Sequence, residues 1–334
     1  MGRVFSPREA VAGGEVVAQK ADASVAADTV LVDLREAGQA ERTAGYLIRA
    51  PHPAVIETGG KAGVEAWLEA LEQQGIPRDE VAYIVVTHIH LDHAGGAGTL
   101  ARYLPRARVV VHPRGARHLQ DPQRLVEGAR TVFGDRLEQL FGLPEPVPAE
   151  RILAPEPDGT LDLGGGHRLR FIDAPGHARH QFMILDEATG VLFSGDELGV
   201  RYPALSRRIG RDYLLPSTAP NQFNPDAMLR SARSLPALRP ATVLLSHFGA
   251  TSLTPEALIQ RMEEQVPRFV ACGLVDGRPA TPQEARRRLA EHIRRDAEAH
   301  GLQWAEVEPA VALDLDICAH GIADYHRRRG RGSV

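Results

Sequence analysis

The stretch THIHLDHAGG, Thr87 to Gly96, places three histidines and an aspartate within six positions. Imidazole and carboxylate are the side chains that hold zinc and similar divalent ions. They follow VAYIVV, a continuous apolar run of the kind found in a strand buried on both faces. Side chains two apart on an extended chain share a face, so His88 and His90 point together where that strand ends. Asp92 and His93 come where the chain turns into a helix beginning near AGGAG, and they address a neighbouring point. The arrangement suggests two metal ions rather than one.

Two ligands per ion are too few, and further candidates stand at the ends of other strands. His177 lies in DAPGHARHQ after HRLRFI, Asp196 in LFSGDELG after GVLF, and His247 in LLSHFG after ATVLL. Each sits beside a glycine or proline, where a tight turn can aim it into a cleft. His180 has no place in this pattern and reads as an ordinary residue, as do His112, His118 and His167. Two divalent ions that share a water lower its pKa towards neutrality and polarise a carbonyl, so the chemistry expected is hydrolysis of an ester, thioester or lactone. Zinc is the default for such ligands, and iron and manganese tolerate the same set. A purely structural zinc site would close on four ligands, which does not describe seven residues around an open cleft.

These residues need elements to position them. TVLVDL, AGYLIRA and PAVIETGG read as short strands, and GVEAWLEALEQQG has helical spacing closed by a glycine. After the proline-rich LPEPVPAERILAPEPDG a second set of strands follows: HRLRFIDA, HQFMILDE, GVLFSGD and ATVLLSH. Two successive mixed sets predict an α/β chain with two packed sheets and helices outside. From Thr254 the pattern becomes helical, dividing a catalytic domain, 1–253, from a C-terminal extension, 254–334. TPEALIQRMEEQV and TPQEARRRLAEHIRRDAEAHG each open with threonine at the N-cap and proline at N1, and Glu284 completes a capping box in the second. A third helix is predicted to start near Pro309, with Val311, Leu315, Cys318, Ile322 and Tyr325 on one face. That face could cap the cleft or join two copies in a homodimer; packing back on its own domain is the plainer expectation. The basic end reads as a disordered tail.

Composition narrows the function classes. The chain has 334 residues, 43% hydrophobic and 25% charged, with a formal net charge of -4. That balance gives no electrostatic reason to expect nucleic acid. No segment reaches the length of a membrane span, and the N-terminal stretch lacks the apolar region of a secretory signal, so the expectation is a cytoplasmic protein acting on a small molecule. Two cysteines, Cys272 and Cys318, lie far from the histidine cluster and read as small core residues.

With its motif His-x-His-x-Asp-His followed by a distant His, Asp and His, the sequence resembles the metallo-β-lactamase-fold superfamily over roughly Thr29 to Ala250. The resemblance implies an αββα four-layer sandwich with the metals at one edge. It implies that His88, His90 and His177 hold one ion, that Asp92, His93 and His247 hold the other, and that Asp196 bridges them. It also gives Asp92 a role as proton shuttle. Aspartate at 196 is unlike the cysteine of the main class of antibiotic-hydrolysing lactamases, and His93 and His177 are unlike the carboxylates of the flavo-diiron branch. The surroundings look like those of glyoxalase-II-like and lactonase-like hydrolases. The same fold includes persulfide dioxygenases, whose single iron would correspond to His88, His177 and Asp196, an alternative the sequence leaves open.

For the substrate the sequence offers ELGVRYPALSRRIGRDYLLPSTAPNQFNP, where Arg201, Arg207, Arg208 and Arg211 could receive an anionic group. Tyr202 stands loosely where lactonases carry a tyrosine. Arg201 and Tyr202 are therefore the candidate substrate contacts.

Overall fold

The computed structural model describes residues 24–26 and 28–331. Most of the N-terminal stretch considered above as a signal region lies outside the described residues.

Seven strands follow one another across the first sheet in chain order: β1 (Ser24–Ala26), β2 (Thr29–Asp33), β3 (Ala44–Ile48), β4 (Ala54–Ile56), β5 (Tyr83–Val85), β6 (Arg108–Val110) and β7 (Ile152–Leu153). Pairing is antiparallel from β1 to β4 and parallel from β4 to β7. Parallel neighbours need a crossover. Helix α1 (Gly63–Gln73) makes the first, and α2 (Leu91–Ala94) with α3 (Ala97–Tyr103) makes the second. The third carries α4 (Pro113–Gln120), α5 (Gln123–Phe133) and α6 (Leu137–Phe141).

The second sheet holds β8 (Thr160–Gly164), β9 (His167–Asp173), β10 (Phe182–Asp186) and β11 (Val191–Phe193). A small hairpin, β12 (Val200–Arg201) and β13 (Leu214–Leu215), encloses α7 (Pro203–Ile209) and leads through α8 (Pro225–Arg233) and α9 (Leu235–Leu238). The chain re-enters the sheet as β14 (Thr242–Leu245), parallel to β11, and ends it with β15 (Gly249–Ala250), giving the order β15-β14-β11-β10-β9-β8. Last come α10 (Pro255–Cys272), the hairpin β16 (Leu274–Val275) and β17 (Arg278–Pro279), α11 (Pro282–Ala299) and α12 (Trp304–Gly330).

Alternation along the strands makes four layers. Tyr46, Ile48, Ile56, Val85 and Val110 turn inward to meet Phe171, Phe182, Ile184, Phe193 and Leu244 between the sheets. Their neighbours Leu47, Val55, Ile84 and Val109 face Trp67, Leu71 and Leu100 of the outer helices. On the far side, Met183, Leu185, Leu192, Val243 and Leu245 share one cluster with Met228, Met262, Phe269, Val311 and Leu315. The fold is thus the αββα sandwich, with the C-terminal helices forming part of its outer layer.

Several sequence expectations change in detail. Val311, Leu315 and Ile322 are buried against the second sheet's helices, so this face packs on its own chain and is not available to join two copies. Helix α12 starts at Trp304 rather than near Pro309, because Gln303 and Glu306 form a capping box there. Its last turn contains Arg327, Arg328 and Arg329, where cations complement the helix dipole, so the basic end is helical up to Gly330. Among the described residues no helix is long and apolar enough to cross a membrane.

Candidate metal centre

All seven sequence-predicted ligands gather at one edge of the sandwich. His88 follows β5; His90 caps α2, and Asp92 and His93 lie in its single turn, so the helix begins at Leu91, ahead of the AGGAG where the sequence suggested it. His177 lies in the loop 174–181, closed at its base by the Asp173–Phe182 pair of β9 and β10. Asp196 and His247 follow β11 and β14, whose parallel pairing of Phe193 with Leu244 sets them side by side. Phe182 donates its backbone N–H to Thr87 at 2.9 Å, tying the second sheet's loop to the first sheet's motif. Gly195 holds φ 56° before Asp196, a left-handed turn that a side chain would strain. At Gly176 a Cβ would strike the Met228 backbone, so α8 can press the loop of His177 into place.

Within the cluster the donors form two sets that reach the cavity, and Glu57 with His88 and His93 makes a third, fully buried group. His90 Nδ1 lies 2.9 Å from His88 Nε2 and 3.0 Å from His177 Nε2. The other set is Asp92, His93 and His247, with Asp92 Oδ2 3.3 Å from His93 Nε2 and 3.4 Å from His247 Nε2. Asp196 faces both: Oδ1 is 3.3 Å from His93 Nε2 and 3.5 Å from His247 Nε2, and Oδ2 is 3.5 Å from His177 Nε2.

The far side of each of four rings has a partner that fixes its orientation. His177 Nδ1 donates to the Ser217 carbonyl at 3.2 Å and His247 Nδ1 to the Arg42 carbonyl at 2.8 Å. His93 Nδ1 donates to Glu57 Oε1 at 3.1 Å. Thr87 spends its hydroxyl proton on Glu57 Oε1 at 2.5 Å, which leaves its oxygen to accept from His88 Nδ1 at 3.1 Å. With Nδ1 donating outward, each Nε2 can present a lone pair inward once it carries no proton. These lone pairs converge where a cation would sit. His93 Nε2 and Asp196 Oδ1 are buried with no hydrogen-bond partner. Orphaned acceptors, histidine and aspartate donors, and outward-anchored rings together fit divalent metal ions.

Charge is distributed to match. Burial, then the neighbouring imidazoles, lowers the pKa of His88, and burial with His177 takes His90 down to about 3. Both are neutral, the form a metal requires. Burial opposes charge on His93 and His247, but Asp92 and Asp196 overcome it and raise both, with Glu57 helping at His93, so a metal ion bound in this set would displace a proton from each ring. Burial would raise the Asp92 and Asp196 carboxyls, yet the imidazoles around them hold both below the ordinary value.

The ligands open onto a cavity of about 230 Å³ lined by His90, Asp92, His177, Asp196 and His247. Arg42, Asp314, Ile317 and Cys318 also line it, so α12 does reach the centre. Arg201 does not line it: its guanidinium is 2.6 Å from Asp212 and 3.2 Å from the Phe248 carbonyl. Tyr202 is buried behind the wall, its hydroxyl donating to Asp314 at 2.8 Å. Arg207 and Arg208 pair with Glu41 and Glu306 at the surface. The guanidinium at the centre is instead Arg42, which pairs with Asp314 at 2.8 Å and Glu36 at 3.3 Å and is thereby neutralised.

Sequence reasoning missed three residues. His180 is buried on the cavity wall, its ring 5.4 Å from that of His90. Glu57 supports His93 and Thr87, and also accepts from Ser246 at 2.8 Å. Glu197 accepts the backbone N–H groups of Gly176 and His177 at 3.0 and 2.8 Å. The available signals were a carboxylate at a strand end before Gly-Gly for Glu57, and direct adjacency to Asp196 for Glu197.

Comparison with known proteins agrees with this geometry. The chain is 28% identical to the metallo-beta-lactamase fold-containing protein ST1585 of Sulfurisphaera tokodaii over 57% of its own length and 68% of that protein. It is 27% identical to the uncharacterized protein YobT of Bacillus subtilis, over 54% of this chain and 71% of that one. In fold it is similar to the ST1585 crystal structure, with a TM-score of 0.58, 24% identity, and 71% and 85% of the two chains covered. It is also similar to the metallo-beta-lactamase family protein TTHA1429 of Thermus thermophilus, with a TM-score of 0.62, 21% identity, and 92% and 95% covered. The model of the metallo-beta-lactamase superfamily matches residues 44–247, a span that contains all seven candidate ligands, and the chain belongs to that superfamily.

Proposed function

We propose that this protein is a two-metal hydrolase of an ester, thioester or lactone, nearest in kind to the glyoxalase-II-like and lactonase-like members of its superfamily. The observation that carries this reading is that both donor sets converge, share Asp196 and open on one cavity. His88, His90 and His177 would hold one ion, Asp92, His93 and His247 the other, with Asp196 between them. Divalent ions bound there, zinc by default and iron or manganese with the same ligands, supply a Lewis acid for the carbonyl and an acidified water.

The chain's own groups do the rest. Asp92 lines the cavity with its side chain 20% exposed, so it can pass a proton between the site and the leaving group. Glu57, Ser217 and the Arg42 carbonyl hold the imidazoles in one tautomer through the cycle. Arg42 is neutralised by Asp314 and Glu36, which leaves Arg124, among the described residues, as the cavity-lining guanidinium without a carboxylate partner for an anionic group.

Elemental mass spectrometry on the purified protein, paired with hydrolysis assays on the same sample, tests this. About two zinc, manganese or iron per chain with turnover is the expected result. Asp196→Ala should lower metal content and abolish turnover; two ions retained in that variant would refute the bridging role. One iron per chain, oxygen uptake with a persulfide and no hydrolysis would establish the dioxygenase alternative, which needs only His88, His177 and Asp196.

A further inference from the structure

One wall of the cavity is a helix whose apolar face no core fully seals. Helix α5 has no fully buried residue, although Leu125, Gly128, Ala129, Val132 and Phe133 fall at i, i+3, i+4, i+7 and i+8. That spacing makes one apolar face, which in a globular protein is ordinarily sealed against a core. Here all five residues line the cavity that His90, Asp92 and His177 also line. Leu125, Ala129 and Phe133 of the stripe also pack on a small cluster of Leu91, Leu137 and Phe141, and Leu125 touches the core under the first sheet's outer helices, yet none of the five is fully buried. Ile89 and Ile317 extend the apolar lining.

Gly128 sits within this stripe, and a Cβ built on it would meet nothing within 4 Å. Glycine inside a helix is unfavourable relative to alanine. At this position it leaves open space on the side of the helix that faces the reaction centre.

We propose that the α5 stripe binds the hydrocarbon arm of the substrate, so that the hydrolase acts on esters or thioesters of medium-length acyl chains. The inference rests on the hydrolase reading for the word "substrate", whereas the arm site itself stands on the stripe and the cavity. An apolar cavity of about 150 Å³ takes a benzene ring. By that scale the whole cavity, about 230 Å³ with the part beside the candidate metal ligands included, takes an acyl group of roughly eight carbons, the reacting carbonyl among them. An unfilled apolar wall continuous with a polar reacting centre is the usual form of a site for a ligand with one apolar and one reactive end.

The test uses the metal-loaded full chain, p-nitrophenyl esters from acetyl to dodecanoyl, and calorimetric binding of octanoate against acetate. The value of kcat/KM should rise about three- to fourfold per methylene up to roughly eight carbons and then level, and octanoate should bind more tightly than acetate. Gly128→Leu fills the open space from a helical position and Val132→Phe narrows it one turn further along. Both should retain metal content and thermal stability while moving the optimum to shorter chains and weakening octanoate binding. Chain-length-independent turnover with equal binding of octanoate and acetate would overturn the arm site and leave the hydrolase reading standing. So would an optimum unmoved in both variants. Octanoate binding that is lost in Gly128→Leu, with no ester turned over, would support the arm site and overturn the hydrolase reading; neither binding nor turnover would overturn both.

Discussion

At Glu57 one buried carboxylate accepts from Thr87, His93 and Ser246 and so reaches both ligand sets. Its backbone is left-handed, φ 65°, a conformation that costs a residue with a Cβ about 1–2 kcal/mol. Glu57→Gln keeps one acceptor oxygen but removes the charge and turns an NH₂ towards donors. Metal affinity should fall about 10- to 100-fold, as it does when a ligand's outer partner is lost; competition with a chelator measures this, and wild-type affinity would show the hub to be dispensable. His180 differs because it faces the cavity without belonging to either donor set. In His180→Phe metal content should stay at the wild-type level and kcat should change less than about tenfold, because burial and the neighbouring imidazoles hold the His180 ring neutral and leave proton transfer to Asp92. A loss of about 10²-fold in kcat would show that the ring takes part in the reaction. Neither role was legible in the sequence: a glutamate before Gly-Gly looks like any turn, and the bond that gives it meaning spans 36 residues to His93.

At the scale of elements, the strand ends and the helix starts were readable because their signals are local. The capping box of α11 is the clearest case. Glu284 accepts from the Thr281 backbone N–H at 2.9 Å and pairs with Arg278 at 2.6 Å. Arg278 first, then Thr281, lowers the Glu284 carboxyl from the ordinary 4.5 to about 2. A depressed carboxyl stabilises the folded state above its unfolded pKa, and that contribution is lost as pH falls through the folded value. The melting temperature of Glu284→Gln should therefore lie below that of the wild type at pH 7, and the gap should close between about pH 5 and pH 2. A gap that stayed constant with pH would assign the effect to something other than this charge. Helix α2 shows where local signals stop: one turn long, it is held by its surroundings, and the Gly-rich AGGAG after it drew the predicted start too far along the chain.

For the whole molecule, the change of character at Thr254 was visible, but its consequence was not. The apolar faces of α10, α11 and α12 could have met each other, a second copy or the sheet, and periodicity is the same in all three cases. In the folded chain they share a cluster with Met183, Leu192 and Leu245, and Asp314 reaches Arg42 and Tyr202 beside the metal centre. Truncation before Thr254 should expose that sheet face and give an insoluble chain. A truncated chain that stayed soluble and bound two metal ions would show the helices to be a separable unit.

The sequence by itself determined the candidate donor types, their placement at strand ends, the two-sheet α/β class and the caps of the last helices. Each follows from short-range spacing: period two in strands, a fixed offset between His88, His90, Asp92 and His93, threonine and proline at a helix start. Tertiary structure decided which loops meet. Pairing of β11 with β14 brings Asp196 to His247, the loop 174–181 brings His177 and His180 to His90, and α5 lays its stripe along the cavity. Arg201 seemed suited to a substrate on charge alone, and Asp212 claims it instead. Such choices depend on partners far away in the chain, where the residue type states what a side chain can do and only packing states what it faces.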